Sequence, residues 1–177
     1  MIVTAVLLLI VAKLWQFLGR VPLLNIEFTP MALLWGFGLM LSITGASTLI
    51  HRFWPAYRRS AYVYLDLVIR PLVWPDLLWL GLLPGLSEEL LFRGVMLPAL
   101  GLNWGAIALS SLLFGVLHLS GLNQWPYMVW ATFVGVILGV GAIVTGNLLV
   151  PIIAHILTNF VSGCVWKWHH QRTPSES

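Results

Sequence analysis

The sequence predicts an all-α fold, a polytopic membrane helical bundle of about six transmembrane helices. Of its 177 residues, 59% are hydrophobic and only 8% charged, against about 25% charged in an ordinary soluble domain, and the mean hydropathy is +0.92. Six apolar stretches, roughly 1–19, 30–50, 73–100, 104–120, 126–145 and 148–167, reach or approach the ~20 residues needed to cross a ~30 Å hydrocarbon core. Seven of the tryptophans, Trp54, Trp74, Trp79, Trp104, Trp125, Trp166 and Trp168, fall near the ends of these stretches, where an indole ring suits the interface.

Taken in order, Met1 to Gly19 lacks a basic leading region and a small-residue cleavage site, so a retained span is expected rather than a signal peptide. His51 to Arg70 mixes Arg58, Arg59 and Asp66 with Trp54, Tyr57, Tyr62, Tyr64, Leu65 and Leu67, the composition of a helix or loop lying at the headgroup level. Residues 1–72 therefore form an N-terminal part, 73–167 a helical bundle, and 168–177 a polar tail, expected to be disordered from Gln171 on. The long third stretch is interrupted by Pro84-Gly85, which predicts a kink or a broken helix. Ser87 would then cap the second half, with Glu88 and Glu89 in its dipole-favoured first turn. Gly135 and Gly139 in the fifth stretch are a small-xxx-small pair that predicts close helix packing.

A net charge of +3 with pI near 9.4 does not point to nucleic acid, because the basic residues are scattered around membrane ends. Arg52, Arg58, Arg59 and Arg70 lie between the second and third stretches, and Lys167 and Arg172 follow or close the sixth. The positive-inside rule puts both regions, and both termini, in the cytoplasm, with Lys13 and Arg20 on the far side. Cys164 is alone, so no disulfide forms within the chain and a small buried apolar role is expected.

Against this apolar background a few polar residues stand out. An acidic side chain at the centre of a membrane helix costs roughly 2.5 to 3.5 kcal/mol on insertion scales, and such groups usually face a partnered or watery interior. Glu88, Glu89, Arg93, His118, His155 and Asn159 fall on three different stretches. Glu89 and Arg93 are spaced i, i+4 and can pair, while Glu88 points about 100° away. His155 and Asn159 are also i, i+4 and project from one face. A carboxylate and an imidazole can share a water and take its proton as it attacks a carbonyl, while a second imidazole and a carboxamide donate to the developing oxyanion. Glu88, His118, His155 and Asn159 thus supply the apparatus of peptide-bond hydrolysis without a serine or cysteine nucleophile. One carboxylate and two histidines, Glu88, His118 and His155, are equally the ligand types of a catalytic zinc, although no His-Glu-x-x-His is present.

The pieces Glu88-Glu89-Leu90-Leu91-Phe92-Arg93, Phe114-Gly115-Val116-Leu117-His118 and His155-Ile156-Leu157-Thr158-Asn159 resemble, in order and spacing, the motifs of the CPBP intramembrane proteases, which include the type II CAAX prenyl endopeptidases. The resemblance covers about Trp74 to Trp166. It implies that Glu88 is the general base, aided by His118 in holding the catalytic water, that His155 and Asn159 form the oxyanion site, and that Glu89 and Arg93 support it. It also implies a peptide or protein substrate in the bilayer, of which prenylated carboxyl-terminal peptides are one branch's class, and a multi-pass protein of the cell membrane. Members are labelled metalloproteases, and a metal-independent glutamate mechanism is proposed as well.

Two further classes meet the same residues. A non-catalytic scaffold or immunity protein would use the buried polar cluster to hold its helices together. A proton-coupled transporter would use glutamate and histidine as a relay, but the chain is short and shows no repeat.

Overall fold

The computed structural model describes residues 1–171; Arg172 and the rest of the expected polar tail after Gln171 lie outside the described residues, while 168–171 continue the last helix. The elements are α1 (Ile2–Gly19), α2 (Pro30–Phe53), α3 (Pro55–Ile69), α4 (Asp76–Glu89), a π-helical segment (Leu90–Met96), α5 (Leu97–Leu100), α6 (Trp104–Leu117), α7 (Trp125–Thr145) and α8 (Leu149–Gln171). No strand occurs among them. α1, α2, α7 and α8 are each long and apolar enough to cross a membrane. The third expected span is composite, with α4, the π segment and α5 following one another without a break. The fourth is the short apolar α6. The all-α bundle of about six spans is therefore the architecture found.

α8 is the axis, packing on both α2 and α4, while α6 lies along α7 and α1 leans on α4 and the π segment. With lipid outside there is little hydrophobic drive between helices, so close backbone approach has to supply van der Waals contact. Glycines allow it. A Cβ at Gly135 would lie 2.9 Å from the Ser111 Cβ, and Gly139 faces Ile107, so the pair in α7 receives α6 as its spacing predicts. A second pair, Gly81 and Gly85, lets α4 touch α8, since Cβ atoms there would fall 2.7 Å from the Ile156 carbonyl oxygen and 2.4 Å from Ile156 Cγ1.

Three local expectations are corrected: a broken helix at Pro84, a cap at Ser87, and a first-turn place for Glu88 and Glu89, which instead end α4. α4 runs through Pro84 without ending; neighbouring helices hold a proline in helical register when they pack against it, and here α8 grips the flanking glycines. Ser87 caps nothing, because its hydroxyl donates back to the Leu83 carbonyl at 2.7 Å inside the continuous helix. The irregularity comes after the acidic pair instead. The π segment ends with Leu97 N–H bonded to Phe92 O, five residues back, and Pro98 lacks the N–H that would bond Gly94 O. That carbonyl accepts from Leu24 N–H at 3.0 Å, which ties the α1–α2 connection to the bundle.

α3 is a helix, as the headgroup composition allowed, but it does more than lie on a surface. Tyr57, Ser60, Ala61 and Ile69 are buried, and Ser60 Oγ donates to Gln124 O at 3.0 Å and accepts from Tyr127 N–H at 3.2 Å. Lys167, read as an end anchor, is also buried; its ammonium donates to the Leu72 carbonyl and closes the α3–α4 connection against α8.

Candidate active site

Glu88 and Glu89 leave the C-terminal end of α4 in different directions, as 100° per residue requires. Glu89 enters the core. Its Oε1 accepts from Arg93 Nη1 at 2.8 Å and from His155 Nδ1 at 2.7 Å, with the Glu89 and Arg93 side chains both 0% exposed. Arg93 also donates from Nη2 to Gly135 O at 3.0 Å, and its guanidinium carbon lies 4.5 Å from the centre of the Phe114 ring. One arginine thereby connects α4, α6 and α7. Glu89 Oε2 and Arg93 Nε are buried without a partner among the described residues.

Glu88 faces a cavity of about 380 Å³ that is also lined by His118, His155 and Asn159. Its Oε2 lies 3.9 Å from His118 Nε2 and 4.0 Å from His155 Nε2 and has no hydrogen-bond partner among the described residues. Both separations exceed a direct hydrogen bond and suit a bridging water. The far nitrogen of each ring is already used. His118 Nδ1 lies 2.8 Å from Phe114 O, a pure acceptor, so Nδ1 carries the proton and a neutral ring presents a lone pair on Nε2. His155 Nδ1 donates to Glu89 in the same way, so its Nε2 also points at Glu88. Phe114 fixes both rings from one side, with its centre 4.7 Å from that of His118 and 5.7 Å from that of His155.

All four residues singled out as a reacting set in the sequence line this one cavity, and the i, i+4 pair Glu89–Arg93 forms beneath it. Sequence reasoning missed the direct Glu89–His155 contact, for which spacing carries no signal. It also missed the tyrosines. Tyr64 of α3 and Tyr127 of α7 line the cavity, stacked on each other at 4.2 Å, with ring centres 5.9 Å and 6.4 Å from His118. Burial and the nearby Glu88 carboxylate hold the Tyr64 hydroxyl above the ordinary phenol range, so it remains a neutral donor. The aromatic composition of α3 was visible in the sequence; which of its rings reach the site was not.

Glu88, His118 and His155 do not fit zinc as they stand. Tetrahedral ligands about 2.0–2.1 Å from zinc sit roughly 3.3 Å from one another, closer than the 3.9 and 4.0 Å found from Glu88 to the two imidazoles. No group of three His, Cys, Asp or Glu among the described residues has the geometry to hold a metal ion.

The family model described as type II CAAX prenyl endopeptidase Rce1-like matches residues 70–161, just over half of the chain. The chain belongs to the Rce1-like family. The matched region runs from the end of α3 into α8 and contains Glu88, Glu89, Arg93, His118, His155 and Asn159, the motif residues that carried the resemblance. Rce1-like membership and the apolar helices make the chain an integral membrane protein. The uncharacterized protein YpbD of Bacillus subtilis (strain 168) is 38% identical over 98 residues, 55% of this chain and 49% of YpbD. The match thus spans about half the length of that relative. No solved structure matches the chain.

Proposed function

We propose that the chain is an intramembrane endopeptidase that hydrolyses peptide bonds of membrane-embedded or lipid-anchored substrates by glutamate-activated water. The observation that carries this reading is the unpartnered Glu88 Oε2, about 4 Å from the Nε2 atoms of both His118 and His155 on one cavity wall. A water between Glu88 and His118 gives a proton to the carboxylate as its oxygen attacks the scissile carbonyl carbon. The oxyanion that forms accepts hydrogen bonds from the Asn159 carboxamide and from His155. For His155 this means a ring protonated on both nitrogens, with Glu89 as counter-charge at Nδ1. Collapse of the tetrahedral intermediate breaks the C–N bond, and the proton held by Glu88 passes to the leaving amine.

The donor spacing favours this route over one through zinc. The family's description makes prenylated carboxyl-terminal peptides the first substrates to try. The placement belongs to the same proposal: the plasma membrane, with both termini cytoplasmic by the positive-inside rule.

The test is cleavage of a farnesylated, internally quenched CAAX peptide by purified protein in detergent, comparing wild type with Glu88→Gln. The reading predicts turnover by wild type alone. A non-catalytic scaffold built on the buried Glu89–Arg93–His155 network would instead give no turnover by either protein and leave cellular activity intact in Glu88→Gln.

A further inference from the structure

His118 has a weak position for a residue asked to hold a water. α6 ends at Leu117, and His118 is its C-cap at φ −93° and ψ 5°, at the start of an irregular connection. Its ring has one restraint of its own helix, the Nδ1 bond to Phe114 O, together with the Phe114 face. Two tyrosines also lie against the imidazole. Tyr64 stands 5.9 Å away at 38° and Tyr127 6.4 Å away at 48°, and the two stack on each other at 4.2 Å and 23°.

Those rings are themselves held. Ser60 and Tyr64 are i, i+4 on one face of α3, and Ser60 Oγ grips Gln124 O and Tyr127 N–H at the start of α7. Tyr57, one turn earlier on that face, lies parallel to Tyr127 at 6.4 Å and 3°, and its hydroxyl is 3.0 Å from Ser47 Oγ of α2. The pattern Tyr57-x-x-Ser60-x-x-x-Tyr64 locks α3 onto α7 and sets the Tyr64 ring against His118. α3 lies outside residues 70–161, the span matched by the family model.

We propose that Tyr64 is a positioning residue of the active site, its ring, backed by Tyr127, packing beside the His118 imidazole and fixing Nε2 relative to Glu88 Oε2. This rests on the hydrolase reading for its catalytic consequence but not for the ring geometry. The two are separated by reading both turnover and the imidazole itself.

Three forms are compared in detergent with the farnesylated quenched peptide: wild type, Tyr64→Leu and Tyr64→Phe. The imidazole nitrogen resonances of His118 are followed in each, assigned by their loss in His118→Gln. Tyr64→Leu lowers kcat about tenfold or more, as misplacement of a reacting group does, with a smaller change in KM, and moves the His118 resonances. Tyr64→Phe keeps the ring and rescues both. Tyr64→Met, of similar length and without a ring, replaces the leucine variant if that one does not accumulate. Wild-type kcat and unmoved His118 resonances in the ringless variant overturn the proposal, as does a phenylalanine variant as impaired as leucine. If wild type itself leaves the peptide intact, the hydrolase reading fails on that substrate, and the resonances alone decide whether Tyr64 positions His118.

Discussion

Glu89 Oε1 lies 2.7 Å from His155 Nδ1 and so joins the end of α4 to α8 beneath the cavity. The same oxygen receives Arg93 at 2.8 Å. One carboxylate thus orients an imidazole whose other nitrogen faces Glu88, a support of the kind that holds reactive histidines in place elsewhere.

Glu88 and Glu89 are adjacent, yet substitutions at them separate. Glu88→Gln removes the base but leaves the fold, because Glu88 Oε2 makes no hydrogen bond among the described residues. Turnover falls at least about a hundredfold and the melting temperature is unchanged. An equal loss of melting temperature would assign Glu88 to structure instead.

At Glu89 the order reverses. Glu89→Ala strands a buried arginine, and breaking a buried pair costs about 3–5 kcal/mol, so unfolding in detergent shifts strongly. Adding Arg93→Met recovers part of that stability, since the uncompensated charge is gone, but not turnover, since His155 has lost its partner. A Glu89→Ala protein as stable as wild type would refute the account of the network.

The approach of α4 to α8 depends on missing side chains. Gly81→Ala places a Cβ 2.7 Å from the Ile156 carbonyl oxygen, a backbone atom that has no rotamer to escape into. Overpacking of this kind costs about 1–3 kcal/mol. It also pushes Glu88 and Glu89 away from His155, so kcat drops along with stability. Gly38, with nothing within 4 Å of its Cβ position, is the control, and Gly38→Ala keeps both.

Chelation supplies a further test. Because Glu88 stands 3.9 and 4.0 Å from the two imidazoles, protein stripped with a strong chelator is expected to cleave the quenched peptide at the untreated rate, with no zinc retained on elemental analysis. Activity lost on chelation and restored by zinc would show that the three side chains close up around a metal.

Much of this protein is legible in the chain itself. Six apolar stretches separated by polar turns suffice for a helical membrane bundle, because backbone polar groups in lipid have to be satisfied within each segment. The price of burying Glu88, Glu89, Arg93, His118, His155 and Asn159 among them marks the site, and helical spacing pairs Glu89 with Arg93.

Contacts between segments distant in sequence were decided by the tertiary structure alone. Spacing gave Glu89 one partner, whereas the folded bundle gave it a second in His155, because Gly81 and Gly85 let α8 come within reach. Proline at 84 signalled a kink or a break, yet α4 continues through it with α8 packed alongside, and the irregular turn lies at Leu90–Met96, where Gly94 O takes its hydrogen bond from Leu24. Tyr64 looked like one aromatic among several in an interfacial helix until Ser60 fixed α3 on α7 and turned that ring toward His118. Local periodicity settles which face a side chain occupies; which face of another helix meets it depends on packing across the bundle, and no short stretch of sequence encodes that.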